Sequence, residues 1–126
     1  SFSDSEYSAR RESLFDDFVN LVEGRHDPVA VAERWTEIPP ELVLDHVYSW
    51  LLDLTRLHLS GAESQVGNPD FSDRLQRMRE TLDLKRIFAI SDKLLEIKGS
   101  ISLNINLQMA LEAVCIRLAG AVRARA

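Results

Sequence analysis

The residues best suited to chemistry in this 126-residue chain are few and scattered: three histidines, one cysteine and twenty acidic side chains. Glu23-Gly24-Arg25-His26 has the Glu-x-x-His spacing with which helical bundles hold a dimetal centre. Such centres draw two copies from facing helices, and only one copy is present. Gly24 also reads as a helix stop, which places His26 in a solvated turn. Asp45 and His46 add an adjacent carboxylate and imidazole. A metal or acid–base enzyme would therefore have to use Glu23, His26, Asp45 and His46, and nothing in their spacing assembles them. His46 and His58 lack the His-x-x-x-His spacing of a zinc face. Asp16-Asp17 and the serines define no nucleophile and base. Cys115 falls among Leu111, Val114 and Leu118 at helical spacing, which makes it a small core residue rather than a nucleophile.

Holding ATP phosphates needs a glycine-rich loop closed by Lys-Ser or Lys-Thr. Gly24, Gly61, Gly67, Gly99 and Gly120 are dispersed, and none leads into such a pair. No nucleotide, other cofactor, metal or small-molecule substrate is expected. Fifteen basic against twenty acidic residues give a net charge of -5, which disfavours broad attachment to a phosphate backbone or an anionic membrane. The basic cluster Arg117, Arg123 and Arg125 sits at a C-terminus and suits a helix dipole better than a DNA-reading helix. No run approaches the roughly 18 apolar residues of a membrane helix, and the polar start lacks the regions of a signal peptide. One cysteine excludes an intrachain disulfide framework and fits a reducing cytoplasm, the expected location.

The elements that must position these residues are helical, because apolar residues recur at helical spacing almost throughout and Gly and Pro fall at the hand-overs. The expected fold is all-α, a compact bundle of about five to six helices forming one domain over 1–126. The first helix runs from Tyr7 to Glu23, burying Leu14, Phe18, Leu21 and Val22. Asp27-Pro28 caps and starts a short helix ending near Trp35. A central helix from Pro40 to Leu59 carries a wide apolar arc that includes Trp50, Leu52, Leu54 and Leu59, leaving Asp45, Ser49, Asp53 and Arg56 as a narrow wet face. Ser60 to Pro69 holds most of the loop chemistry and is expected to be mobile. Asp70 or Ser72 should cap a short helix through Leu75, Met78 and Leu82. Asp83 starts the next, with Leu84, Ile87, Phe88, Ile90, Leu94, Leu95, Ile97 and Ile101 on its buried side. Leu103-Asn104-Ile105-Asn106 interrupts it before a last helix from Leu107 to Arg125.

Two features bear on assembly, and the second exceeds what a simple bundle needs. Trp35, at a helix end before Ile38-Pro39-Pro40, suits either a core or an interface anchor, whereas Trp50 belongs to the core arc. On the last helix Met109, Ala113, Ile116 and Gly120 recur at i, i+4, i+7 and i+11, a second stripe beside the core face that permits close approach of another helix, either within its own bundle or from another chain. The candidate subunit interface is therefore Trp35, Met109, Ala113, Ile116 and Gly120.

Four blocks resemble the C-terminal domain of bacterial DNA polymerase III clamp-loader delta-prime subunits, the first three being Ala32-Glu33-Arg34-Trp35, Trp50 to Leu57, and Asn68-Pro69-Asp70. The strongest block runs from Leu94-Leu95-Glu96-Ile97-Lys98 through Leu103 to Gln108 and on to Leu111-Glu112-Ala113-Val114-Cys115-Ile116-Arg117-Leu118. The resemblance implies a collar domain, excised from the C-terminus of a longer AAA+ family subunit. Such domains join five subunits into the loader that places the sliding clamp on primed DNA. It also implies a non-catalytic role, with other clamp-loader subunits as partners through their C-terminal domains and DNA met only through the assembly.

Overall fold

The computed structural model of the chain describes residues 4–60, 67–101 and 106–122. Among these residues lie six α-helices: α1 (Asp4–Val22), α2 (Pro28–Trp35), α3 (Pro40–Ser60), α4 (Ser72–Arg79), α5 (Leu84–Ser100) and α6 (Leu107–Ala119). The all-α expectation holds.

Local chemistry sets the boundaries. α1 ends in a Schellman turn in which Gly24 takes φ 75°, a left-handed conformation that glycine enters without steric cost. Arg25 N–H then reaches the Asn20 carbonyl at 2.8 Å and Gly24 N–H the Leu21 carbonyl at 3.0 Å. Asp27 caps α2 by accepting Val29 N–H at 3.1 Å, with Pro28 in the first turn. Asp83 caps α5 through Lys85 N–H at 2.9 Å, and Asn106 caps α6 through Met109 N–H at 3.1 Å. α4 differs from expectation, since neither Asp70 nor Ser72 caps it. A 3₁₀ turn at Pro69–Phe71 runs directly into the helix, and Phe71 occupies the cap position without a side-chain bond. Leu82 lies beyond the end of α4, in an isolated antiparallel bridge with Val122.

α3 packs on α1, α4 and α5, while α6 packs on α2, α5 and α1. Where α1, α3 and the 3₁₀ turn meet, four aromatic rings stack inward. Phe15 lies flat on Phe71 with ring centroids 3.9 Å apart, and Trp50 meets Phe15 edge-on at 5.0 Å and Phe18 at 5.3 Å. The guanidinium of Arg11 covers Phe71 at 4.4 Å, and that of Arg74 covers Phe15 at 4.8 Å. Such contacts add cation–π attraction to the burial.

The same corner corrects the reading of Asp53. Placed on the wet face by periodicity, it is 1% exposed. Its Oδ1 accepts Gly67 N–H at 2.6 Å, and its Oδ2 accepts Asn68 N–H at 2.9 Å and the Asn68 amide at 2.7 Å. A buried carboxylate is tolerated when its lone pairs are filled in this way. Arg11 extends the clasp, donating to Asn68 Oδ1 at 2.7 Å and to Asp70 Oδ2 at 2.5 Å. Asn68 and Asp70 thus tie the end of the α3–α4 connection to both α1 and α3. Most of that connection, 61–66, lies outside the described residues, so the expected mobility of Ser60 to Pro69 concerns a stretch not described. Leu103, Asn104, Ile105, Arg123 and Arg125 also lie outside them.

Several apolar residues assigned to buried arcs are exposed. Phe88 and Leu95 on α5, and Leu52 and Leu59 on α3, face outward. Those helices have fewer neighbours on that side than the width of their apolar arcs suggests.

Candidate subunit interface

α6 carries the stripe singled out from the sequence, and its two faces are unequal. Leu111, Val114, Cys115 and Leu118 are buried. The Cys115 thiol has its pKa pushed up to about 12, chiefly by burial, with the negative charge of Asp17 adding to the effect. No thiolate forms near neutrality, so Cys115 is inert. On the opposite side Met109 is 65% and Ile116 54% exposed, with Ala113 half-buried between them.

Gly120 sits differently from the expectation of a helix running to Arg125. α6 stops at Ala119 and Gly120 is its C-cap, with N–H bonds to the Ile116 and Arg117 carbonyls at 3.2 and 3.1 Å. Arg86 on α5 donates to the Gly120 carbonyl and, at 3.1 Å, to that of Val122. Asp83 N–H adds a bond to the Ala121 carbonyl at 3.0 Å. A basic side chain on the orphan carbonyls of a helix C-terminus is favourable, and here it clips the end of α6 to the start of α5.

The two helices consequently run antiparallel, with a furrow between them that holds two hollows. One, of about 260 Å³, is lined by Lys93, Glu96 and Ile97 of α5 and by Met109, Ala110 and Ala113 of α6, among others. The other, of about 210 Å³, is lined by Arg86, Ala89, Ile90, Arg117 and Gly120. Sequence periodicity located the α6 side of this furrow and missed the α5 side. Lys93 and Ala89 give no signal of their own without knowledge of which helix lies alongside.

Trp35 does not share this surface. It is fully buried, and its indole N–H donates to Asp17 Oδ2 at 3.1 Å, while Arg34 donates to Asp17 Oδ1 at 2.9 Å. The ring fastens α2 onto α1 and leaves no side-chain surface for a partner. A hollow of about 470 Å³ opens beside this triad, but both Asp17 oxygens are already committed to internal bonds.

The four residues of the enzymatic alternative are not brought together. Glu23 and His26 follow the C-terminal end of α1 and are exposed, Glu23 being paired with Arg25. His46 lies at the other end of α1, its Nε2 3.0 Å from the Tyr7 hydroxyl, and Asp45 pairs with Lys98 at 2.6 Å. Tyr7 and Glu23 are sixteen residues apart, a separation of about 24 Å along a helix. Among the described residues no three His, Cys, Asp or Glu side chains are grouped to hold a metal ion. No helix among them is long and apolar enough to cross a membrane.

A family model for the C-terminal region of the DNA polymerase III delta subunit matches residues 5–119. The chain belongs to that family. It is also 26% identical over 91 residues to the DNA polymerase III subunit delta′ of Pseudomonas aeruginosa, a match covering 71% of this chain and 28% of that protein. The aligned stretch is thus well under a third of that relative. No match was found among solved structures. Arg34-Trp35 and Asn68-Pro69-Asp70 are in this fold places where polar side chains lock α2 and the α3–α4 connection onto α1.

Proposed function

We propose that this chain is a non-catalytic assembly domain of the DNA polymerase III clamp loader, a collar-type C-terminal domain of the delta-prime kind. It joins its own subunit to the other clamp-loader subunits, whose AAA+ modules handle nucleotide and the sliding clamp in the cytoplasm. DNA is met through the assembly rather than by this chain. Family membership supplies the clamp-loader role. The assembly part rests on one observation: α6 buries one face in its own bundle and leaves Met109 and Ile116 exposed beside a furrow. An exposed apolar strip beside a furrow is how helical partners are held. Within the interface first drawn, Met109, Ala113, Ile116 and the capping Gly120 remain, and Trp35 leaves it.

Co-elution with the other clamp-loader subunits tests the proposal. The wild-type chain should enter their complex, and Ile116→Asp should not, because the substitution places a charge in a desolvated contact. An Ile116→Asp chain that co-elutes normally would remove α6 from the joint. Stoichiometric, Mg-dependent ATP binding by the chain in calorimetry would overturn its non-catalytic part.

A further inference from the structure

The two hollows are separated along α6 by the distance from the 109–113 segment to the 117–120 segment, about 11 Å, or two helical turns. That spacing matches side chains seven residues apart on a third helix lying in the furrow, as in helix-in-groove recognition. The floors suit apolar side chains: Ile97, Ala110 and Ala113 in one hollow, Ala89, Ile90 and Gly120 in the other. Met109 and Ile116 stand beside them as exposed ridges.

The charges at the two ends differ. At the larger hollow Lys93 and Glu96 neutralise one another at 3.4 Å. At the smaller one Arg86 is engaged with carbonyls of the α6 terminus and lies 3.9 Å from Asp83. Arg117 donates to the Ala113 carbonyl of its own helix at 3.1 Å, and among the described residues no carboxylate pairs with it. One end of the furrow is therefore balanced and the other carries an exposed, uncompensated cation.

We infer that the furrow seats one amphipathic helix of a neighbouring clamp-loader subunit, with apolar side chains at i and i+7 in the two hollows and a carboxylate facing Arg117. This rests on the assembly reading above and adds to it the chemistry and polarity of the partner. The charge difference fixes which end of the seat the acidic residue occupies.

Three variants, Ile116→Asp, Ala113→Phe and Arg117→Glu, are titrated against a complex of the remaining clamp-loader subunits, and each free chain is melted in parallel. Ala113→Phe fills the larger hollow from within, and Arg117→Glu reverses the charge at the other end. Each should weaken association by about tenfold or more with melting unchanged, and added salt should weaken the wild type more than Arg117→Glu. If Ile116→Asp abolishes association while the other two bind like wild type, the seated helix is overturned and the assembly reading stands. Normal binding by all three overturns the inference and removes α6 from the joint, and failure of the wild-type chain to bind overturns the assembly reading itself. A wild-type chain that dimerises alone through this furrow, and is made monomeric by Ala113→Phe, makes a second copy the occupant and overturns the inference. Should Ala113→Phe lower the melting temperature, the exposed Arg117→Glu decides alone, and its normal binding overturns the inference.

Discussion

The corner where α1, α3 and the 3₁₀ turn meet and the outer face of α5 and α6 use apolar and charged residues in opposite ways. At the corner Phe15, Phe18, Trp50 and Phe71 are buried against one another, and both oxygens of the buried Asp53 are filled by the Gly67-Asn68 backbone and the Asn68 amide. On the outer face Met109 and Ile116 stand in solvent and Arg117 has no described carboxylate beside it. The first region buries its rings and fills the Asp53 carboxylate, though the Trp50 indole N–H is buried without a hydrogen-bond partner among the described residues, and the second leaves apolar and charged side chains in solvent. The stability of the fold and the proposed association therefore fall on separate surfaces, and substitutions should separate them.

The largest effect on folding belongs to Trp50→Ala, which empties the centre of the aromatic corner and should cost about 3–5 kcal/mol in urea unfolding of the free chain. A loss under about 1 kcal/mol would mean that the corner is not where stability is concentrated. Asp53→Ala comes next. It leaves the Gly67 and Asn68 N–H groups without their acceptor and should cost about 1.5–3 kcal/mol, with Asp53→Asn recovering part because one acceptor oxygen remains. Equal stability of the alanine variant and the wild type would show that the clasp is dispensable. Ile116→Asp, on the opposite region, should change stability by less than about 0.5 kcal/mol while removing association. Unfolding of the free variant would erase the distinction between the two regions.

Much of this division could be read from the sequence, and what could not has a common physical cause. Asp27-Pro28, Gly24 and Asp83 act within a few residues of themselves, so their capping and stopping roles were legible. Asp53 was misplaced because its donors lie 14 and 15 residues away across a connection, which helical periodicity cannot register. Trp35 was left between two roles until its partner, Asp17, was known to sit 18 residues earlier on another helix. Phe88 and Leu95 show the converse limit. An apolar arc states which side chains would tolerate burial, and only the packing of neighbouring helices decides which receive it. The α6 stripe was visible because it is local to one helix. The furrow needed α5 beside it.

The smallest expected effect is in the pH dependence, and it should follow the corner and ignore the outer face. His46 lies half-buried on α3 with its ring 5.8 Å from that of Trp50 and its Nε2 3.0 Å from the Tyr7 hydroxyl of α1. Burial lowers its pKa below the usual 6.5, the positive charge of Arg11 on α1 lowers it further, and Asp45, itself paired with Lys98 of α5, partly opposes them. The unfolded chain therefore binds the proton more readily, so the stability due to neutral His46 is fully present above pH 6.5 and is lost as pH falls through the lower folded-state value. Asp70 behaves with the same sign at lower pH. Its hydrogen bonds to Arg11 hold its carboxyl below the usual 3.8, so that contribution is complete above 3.8 and disappears as pH falls through the depressed value. Because the Asp70 side chain is 56% exposed, solvent screening makes its share slight. Urea unfolding of the free chain between about pH 7.5 and 5 should show declining stability on acidification, and His46→Gln should flatten that decline. Ile116→Asp should leave the slope as in the wild type, since the groups facing His46 come from α1, α3 and the α5 residue Lys98 rather than from the furrow. A slope that survives His46→Gln but changes in Ile116→Asp would place the titrating group on the outer face and break the separation of the two regions.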